Sequence, residues 1–281
     1  MKWTPGGVSE DVEDRRGEGG GGLRGGPVGI GVVLVLLVLS LLTGKNFLSL
    51  LDTGAASGGS DTTTSQPAPT SPQEERLVSF VSFVLDDAQA TWAKLMPGEY
   101  RKAKLVLFRD AIDTACGVGQ TASGPFYCPG DEKVYIDLGF YDELKQRFGA
   151  SGDFAQAYVI AHELGHHVQK LRGIEGQVRQ LQQDRPAAAN ALSVRLELQA
   201  DCYAGIWGHS TDERKILEAG DVESALNAAA SIGDDRIQRM SGRGVAPDSF
   251  THGSSGQRVQ WFKRGLQSGD VDSCDTFSAG S

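Results

Sequence analysis

The sequence predicts an α+β fold, a mostly helical domain with a small β-sheet, preceded by a single N-terminal transmembrane helix. Three observations predict it. Apolar residues recur at helical spacing over most of the chain from residue 74 onward. Only two short runs, KLVLF (104–108) and KVYIDL (133–138), read as strands. One uninterrupted apolar run, Val28 to Leu42, stands apart near the start.

Taken in order, residues 1–26 are rich in glycine and charge and nearly devoid of apolar side chains, which predicts a disordered cytoplasmic N-terminus. Residues 27–51 form the anchor. The run of about 15 apolar residues is short for a span of about 20, but Lys45 can snorkel and Phe47 to Leu51 can lie at the interface. Arg15, Arg16 and Arg24 precede it and place the N-terminus in the cytoplasm. A cleaved signal peptide is the alternative, with TGAAS (53–57) the nearest cleavage candidate. Either way the rest is exported, so the expected location is the cell membrane, single-pass, with the catalytic domain extracytoplasmic. Residues 52–73 are a Gly/Ser/Thr/Pro linker.

Residues 74–281 have globular composition. Leu77, Phe80, Val81, Val84, Ala88, Trp92 and Leu95 lie at helical spacing before Pro97. The two strands follow, with a Gly/Pro loop (116–132) between them. Further helices are expected over 137–149, from Asp153 to Gly173, after Pro186 through about 208, over 221–240 and over 255–267. The net charge of −9 argues against nucleic acid as a partner.

The four cysteines, Cys116, Cys128, Cys202 and Cys274, all follow the apolar run, and an even count on the exported side suggests two disulfides. Three connectivities are possible. Cys116 and Cys128 flank one glycine-rich loop and are paired, which leaves Cys202 with Cys274. A cysteine metal site is the competing reading, and no CxxC spacing supports it.

Three of five histidines fall within AHELGHH (161–167). His162 and His166 are four apart, so on a helix both imidazoles reach one ion at the normal Zn–N distance of about 2.0–2.1 Å. Glu163 sits beside the first ligand as a general base. This is the H-E-x-x-H pattern of zinc metalloproteases. His167 points elsewhere and reads as an outer or surface residue. A catalytic zinc needs a third protein ligand. RLELQAD (195–201) offers Glu197, with Asp201 four residues on to hold the outer N–H of a ligand histidine. Glu175 is a rival ligand in an expected loop.

HELGHH followed by ELQAD resembles the gluzincin branch of the zincin metallopeptidases. More closely, GPFYCP, VYIDL, GDFAQAYVIAHELGHHVQ, RLELQADCYAG, IGDDRIQ, FTHGSSGQR and CDTF, spanning about 74–277, are similar to a family of bacterial membrane-tethered neutral zinc metallopeptidases. The resemblance implies a zincin-like domain and peptidase activity.

The residues then imply Zn²⁺ held by His162, His166 and Glu197, and a peptide or protein substrate hydrolysed by a zinc-bound water that Glu163 activates. His252, in SFTHGSSGQR, is the best candidate to stabilise the oxyanion, and Arg258 is another cationic donor. Tyr203 is weaker, and His209 reads as a C-terminal dipole partner. Two alternatives remain open: a non-catalytic, zinc-stabilised scaffold at the cell surface, and an interaction protein on a stalk in which the metal is irrelevant. The sequence sets neither substrate specificity nor oligomeric state.

Overall fold

The computed structural model describes residues 1–18, 71–120, 124–146, 149, 152–242 and 244–278. Residues 1–18 and 71–278 belong to one compact unit.

The sheet begins with β1 (Val12–Asp14). Helix α1 (Pro72–Leu95) starts at Ser71, whose hydroxyl accepts the Glu74 N–H; proline and two glutamates occupy the first turn. Its buried stripe includes Val78, Val81, Val84, Leu85, Ala88 and Trp92. Then come β2 (Lys104–Phe108), β3 (Ala111–Thr114), β4 (Gly117–Gln120), β5 (Phe126–Cys128) and β6 (Lys133–Asp137). The main sheet has the order β1-β2-β6-β5, parallel except that β5 runs antiparallel to β6. β3 and β4 form a separate antiparallel hairpin.

Side chains alternate across a strand. Leu105, Leu107, Val134 and Ile136 enter the helical core. Val106, Phe108 and Tyr135 point the other way, where Ile112 and Cys128 cover them. Both faces of β2 are buried, which is why KLVLF reads as a continuous apolar run.

The segment expected as a Gly/Pro loop contains β4 and β5. Strands of three or four residues are too short to show a clear period, and Gly117 and Gly119 hide β4 further. Gly119 has a packing reason: a Cβ there would lie 2.5 Å from the Phe126 ring, which stacks on Tyr135 at 5.0 Å. The Cys116–Cys128 bridge fastens the hairpin to β5, as the sequence pairing expects.

The N-terminus departs from the sequence reading. Residues 1–18 are not disordered. β1 pairs with β2, the Lys2 N–H bonds the Ile216 carbonyl at 2.8 Å, and the Trp3 indole N–H donates to Asp153 at 2.8 Å and packs edge-on against Phe80. The charges that suggested a solvated tail are partnered: Asp11 with Lys102 and Lys104, Glu13 with Lys133, Arg16 with Asp14 and Glu74.

This corrects the expected location. The proposed anchor (27–51) and all of the linker but 71–73 lie outside the described residues. Among the described residues no helix is long and apolar enough to cross a membrane. A single crossing between residues 18 and 71 would also put β1 and β2 on opposite sides of the bilayer, whereas they are hydrogen-bonded neighbours. A cytoplasmic N-terminus with the domain across a membrane is therefore overturned.

The helical layer continues with α2 (Gly139–Gln146), α3 (Asp153–Leu171), α4 (Ile174–Asp184), α5 (Ala189–Glu213), α6 (Asp221–Ser231), α7 (Asp234–Met240) and α8 (Ser255–Ser268). The sequence shows no α4, because Val178 is its one buried residue and the apolar stripe is thin. The helix expected over 221–240 is two, broken at Gly233, where a side chain would collide with the backbone of Ser255. Helix α8 opens with a capping box, Ser254 with Gln257, and closes on Gly269 with φ 62°. The second bridge, Cys202–Cys274, ties α5 to a 3₁₀ turn (Val271–Cys274) near the C-terminus.

Helices α5 and α8 cross backbone to backbone. A Cβ on Gly205 would collide with the Phe262 carbonyl, and one on Gly265 with the Cys202 carbonyl. We therefore expect Gly265→Ala to destabilise the fold by at least about 1–3 kcal/mol through overpacking. A urea melt reads this directly, and an unchanged midpoint would show that the helices part without cost.

Candidate metal centre

Helix α3 carries Tyr158, His162, His166 and Gln169 at spacings of four, four and three, which align them on one face. Gly165, on the same helix, permits the close approach of α5, since a Cβ there would stand 3.0 Å from the Ala200 carbonyl oxygen. That contact sets Glu197, one turn before Asp201 on α5, opposite the two histidines.

Ligand atoms of His162, His166 and Glu197 all lie within 4.8 Å of one another. His162 Nε2 is 3.2 Å from Glu197 Oε2, and His166 Nε2 is 3.5 Å from Glu197 Oε1. Two atoms bound tetrahedrally at about 2.0–2.2 Å from one zinc stand about 3.3–3.6 Å apart. The donor set, two imidazoles and one carboxylate, suits that ion, and each histidine stands near that separation from one of the Glu197 oxygens.

Each histidine is held from behind through its other nitrogen. His162 Nδ1 lies 3.0 Å from Asp201 Oδ1, and His166 Nδ1 lies 2.9 Å from Gln169 Oε1. Asp201 is fully buried and is itself gripped. Arg258 on α8 donates to both its oxygens, Nε to Oδ2 at 2.8 Å and Nη2 to Oδ1 at 2.9 Å, and the Tyr158 hydroxyl donates a short bond to Oδ1. This bidentate pair brings α8 to the centre.

The electrostatics follow. Burial alone would lower His162, but Asp201 and Glu197 override it and hold the imidazole up at about 10. Burial would raise Glu197 and Asp201. The histidines with Arg258 hold Glu197 well below the usual carboxylate range, and Arg258 with His162 does the same for Asp201. Burial lowers His166. Glu163, almost fully buried, is pushed up to about 7, chiefly by burial and despite the charge of His162.

The other expected residues lie as follows. Glu175 is on the first turn of α4, paired with Arg179. Arg258 is locked on Asp201 and buried, so it acts on the centre through Asp201 and His162 and does not stand as a free donor. Tyr203 faces another core cluster, accepting from Arg172 at 2.8 Å. His167 is buried and turned away, bonded to the Tyr127 hydroxyl at 3.0 Å and the Arg101 carbonyl at 2.7 Å, where it fastens β5 to α3. His209 bonds the Leu266 carbonyl of α8 at 2.9 Å. His252 is exposed, with Nδ1 3.3 Å from Asp234 and 3.0 Å from Thr251 Oγ1. Its loop lies against the stretch of α5 that bears Glu197: a Cβ on Gly253 would touch Val194 at 3.2 Å and Leu198 at 3.3 Å.

Sequence reasoning misses Tyr158, Gln169 and Gln199. Helical spacing was the available signal for two of them, since Tyr158 is four before His162 and Gln169 three after His166, whereas Gln199, two after Glu197, lies off that face.

A model of the family described as "Putative neutral zinc metallopeptidase" matches residues 1–277. The match includes the N-terminal arm that the quoted motifs leave out. The chain is similar to "Uncharacterized protein YpfJ" of Escherichia coli strain K12, 51% identical over 286 residues and covering 99% of each chain. It is also similar to "Uncharacterized protein Rv2575" of Mycobacterium tuberculosis strain H37Rv, 44% identical over 205 residues, with 69% of this chain and 68% of the relative covered. No solved structure matches it. With nearly its whole length matched and H-E-x-x-H followed by Glu197 set around one point, the chain belongs to the neutral zinc metallopeptidase family.

Proposed function

We propose that the protein is a zinc-dependent peptidase that hydrolyses peptide bonds of a peptide or protein substrate. One observation carries the reading. The Nε2 atoms of two buried or partly buried histidines face the two oxygens of the Glu197 carboxylate, and a buried carboxyl, Glu163, follows His162 directly outside the ligand set. Zinc held by His162, His166 and Glu197 would supply Lewis acidity to a peptide carbonyl and to an attacking water.

The remaining steps belong to side chains of this chain. Glu163, pushed up to about 7, takes the proton from the attacking water and returns it to the leaving amine nitrogen. A carboxyl tuned near neutrality can do both, which one at its ordinary value does less well. Asp201 holds His162 in the tautomer that presents Nε2 to the centre. His252 is assigned as the donor to the developing oxyanion, with Asp234 on Nδ1 fixing its ring.

The test is peptide hydrolysis and metal content on the full chain, because β1 is part of the domain. We expect one zinc per chain, cleavage of casein or of a mixed peptide library, loss of cleavage on chelation and recovery with added zinc. Cleavage that survives complete chelation, or a chain that binds no zinc, would sink the proposal.

A further inference from the structure

Behind His166 runs a line of hydrogen bonds with a single direction. The Gln169 amide nitrogen donates to the Leu196 carbonyl at 2.7 Å and to Gln199 Oε1 at 3.1 Å. With both protons directed at acceptors, Gln169 must present its oxygen to His166. An amide oxygen only accepts, so His166 carries its proton on Nδ1 and leaves Nε2 bare toward Glu197. Gln199 is oriented in turn: its amide nitrogen donates to the Cys274 carbonyl at 3.0 Å, which leaves its oxygen for Gln169. Gln169 and Gln199 are both buried, so neither has water as an alternative partner. The Cys274 carbonyl is held in place by the bridge from Cys202.

The geometry points to a positioning relay: Gln169 and Gln199 fix the metal-binding tautomer of His166, and the Cys202–Cys274 bridge anchors the far end. The relay rests on the reading of His162, His166 and Glu197 as metal ligands. It gives the bridge a role at the centre, which lies across α5 from it. The other bridge, Cys116–Cys128, has no such connection among the described residues and serves as the internal control. Gln169 has a second fixed acceptor in Leu196, so losing the Gln199 end loosens the relay, while losing Gln169 breaks it.

The test is zinc affinity of the full chain by competition with a chromophoric chelator, together with the visible absorption bands of the Co²⁺-loaded protein. Gln169→Leu should weaken zinc binding about 10–100-fold and alter the Co²⁺ bands. Gln199→Leu should weaken it less, in the lower part of that range. Cys202→Ser with Cys274→Ser should match Gln199→Leu, and combining the three should add nothing further, as expected for one chain of contacts. Cys116→Ser with Cys128→Ser should leave affinity and bands unchanged.

Native affinity and bands in Gln169→Leu would overturn the relay, as would effects of Gln199 and the Cys202–Cys274 pair that multiply. If removing that bridge prevents folding, the glutamines decide with both bridges intact: Gln169→Leu combined with Gln199→Leu must bind no more weakly than Gln169→Leu alone. A wild-type chain that binds no zinc overturns the metal reading and the relay with it. Tight wild-type binding with silent glutamine variants overturns the relay alone.

Discussion

Glu163→Gln is expected to keep its zinc and lose peptide hydrolysis. The substitution conserves shape and Glu163 is outside the ligand set, so the fold and the ligand triad stay as they are. What disappears is a group that can accept a proton. General acid–base catalysis contributes about 10²–10⁴-fold, and Glu163 is proposed to serve both as base and as acid, so the loss should lie at or above the upper end of that range. The comparison is kcat/KM on a peptide identified from the library digest, with zinc content measured on the same samples. A variant within tenfold of wild type would remove Glu163 from the reaction. Zinc-loaded wild type and variant that both fail to cleave any peptide offered would favour the zinc-stabilised scaffold instead.

The second large effect is on stability. Asp201 is fully buried and Arg258 is almost so, and each satisfies the other through two hydrogen bonds. Asp201→Ala leaves a guanidinium stranded in the core and a Tyr158 hydroxyl without its acceptor. Breaking one half of a buried pair costs about 3–5 kcal/mol, because the surviving charge keeps its desolvation penalty. A urea melt of the metal-free protein measures this without interference from zinc. Combining Asp201→Ala with Arg258→Met should recover much of the loss, since no charge is then left buried. A single variant that loses under about 1 kcal/mol would mean that water or another carboxylate reaches Arg258.

The centre is legible in the sequence where helical spacing and charge coincide. His162 with His166, and Glu197 with Asp201, are each four apart on strongly patterned helices, and side chains so placed share a face. The residues that hold them are harder to read. Gln169 and Gln199 carry no charge and resemble ordinary surface glutamines, although both are buried. Arg258 was read as a cation open to the site, because a sequence gives a side chain's charge and not the carboxylate it will meet. The same limit hides β1. EDVEDRR resembles a solvated tail until Lys102, Lys104, Lys133 and Glu74 are brought to it from distant parts of the chain. The cysteine pairing is legible because the short loop closed by Cys116 and Cys128 leaves one partner each for Cys202 and Cys274.

The docked arm also makes one edge of the sheet depend on contacts of very long range. The β2 partner of β1 follows some ninety residues later in the chain, and the Ile216 carbonyl that receives the Lys2 N–H follows more than two hundred residues after Lys2. Contacts of such long range form slowly, because a large loop must close before they return any stabilisation. Until the arm docks, the outer edge of β2 is open, and an open parallel edge accepts any extended chain that reaches it. Docking of residues 12–14 seals that edge with a segment of the same chain.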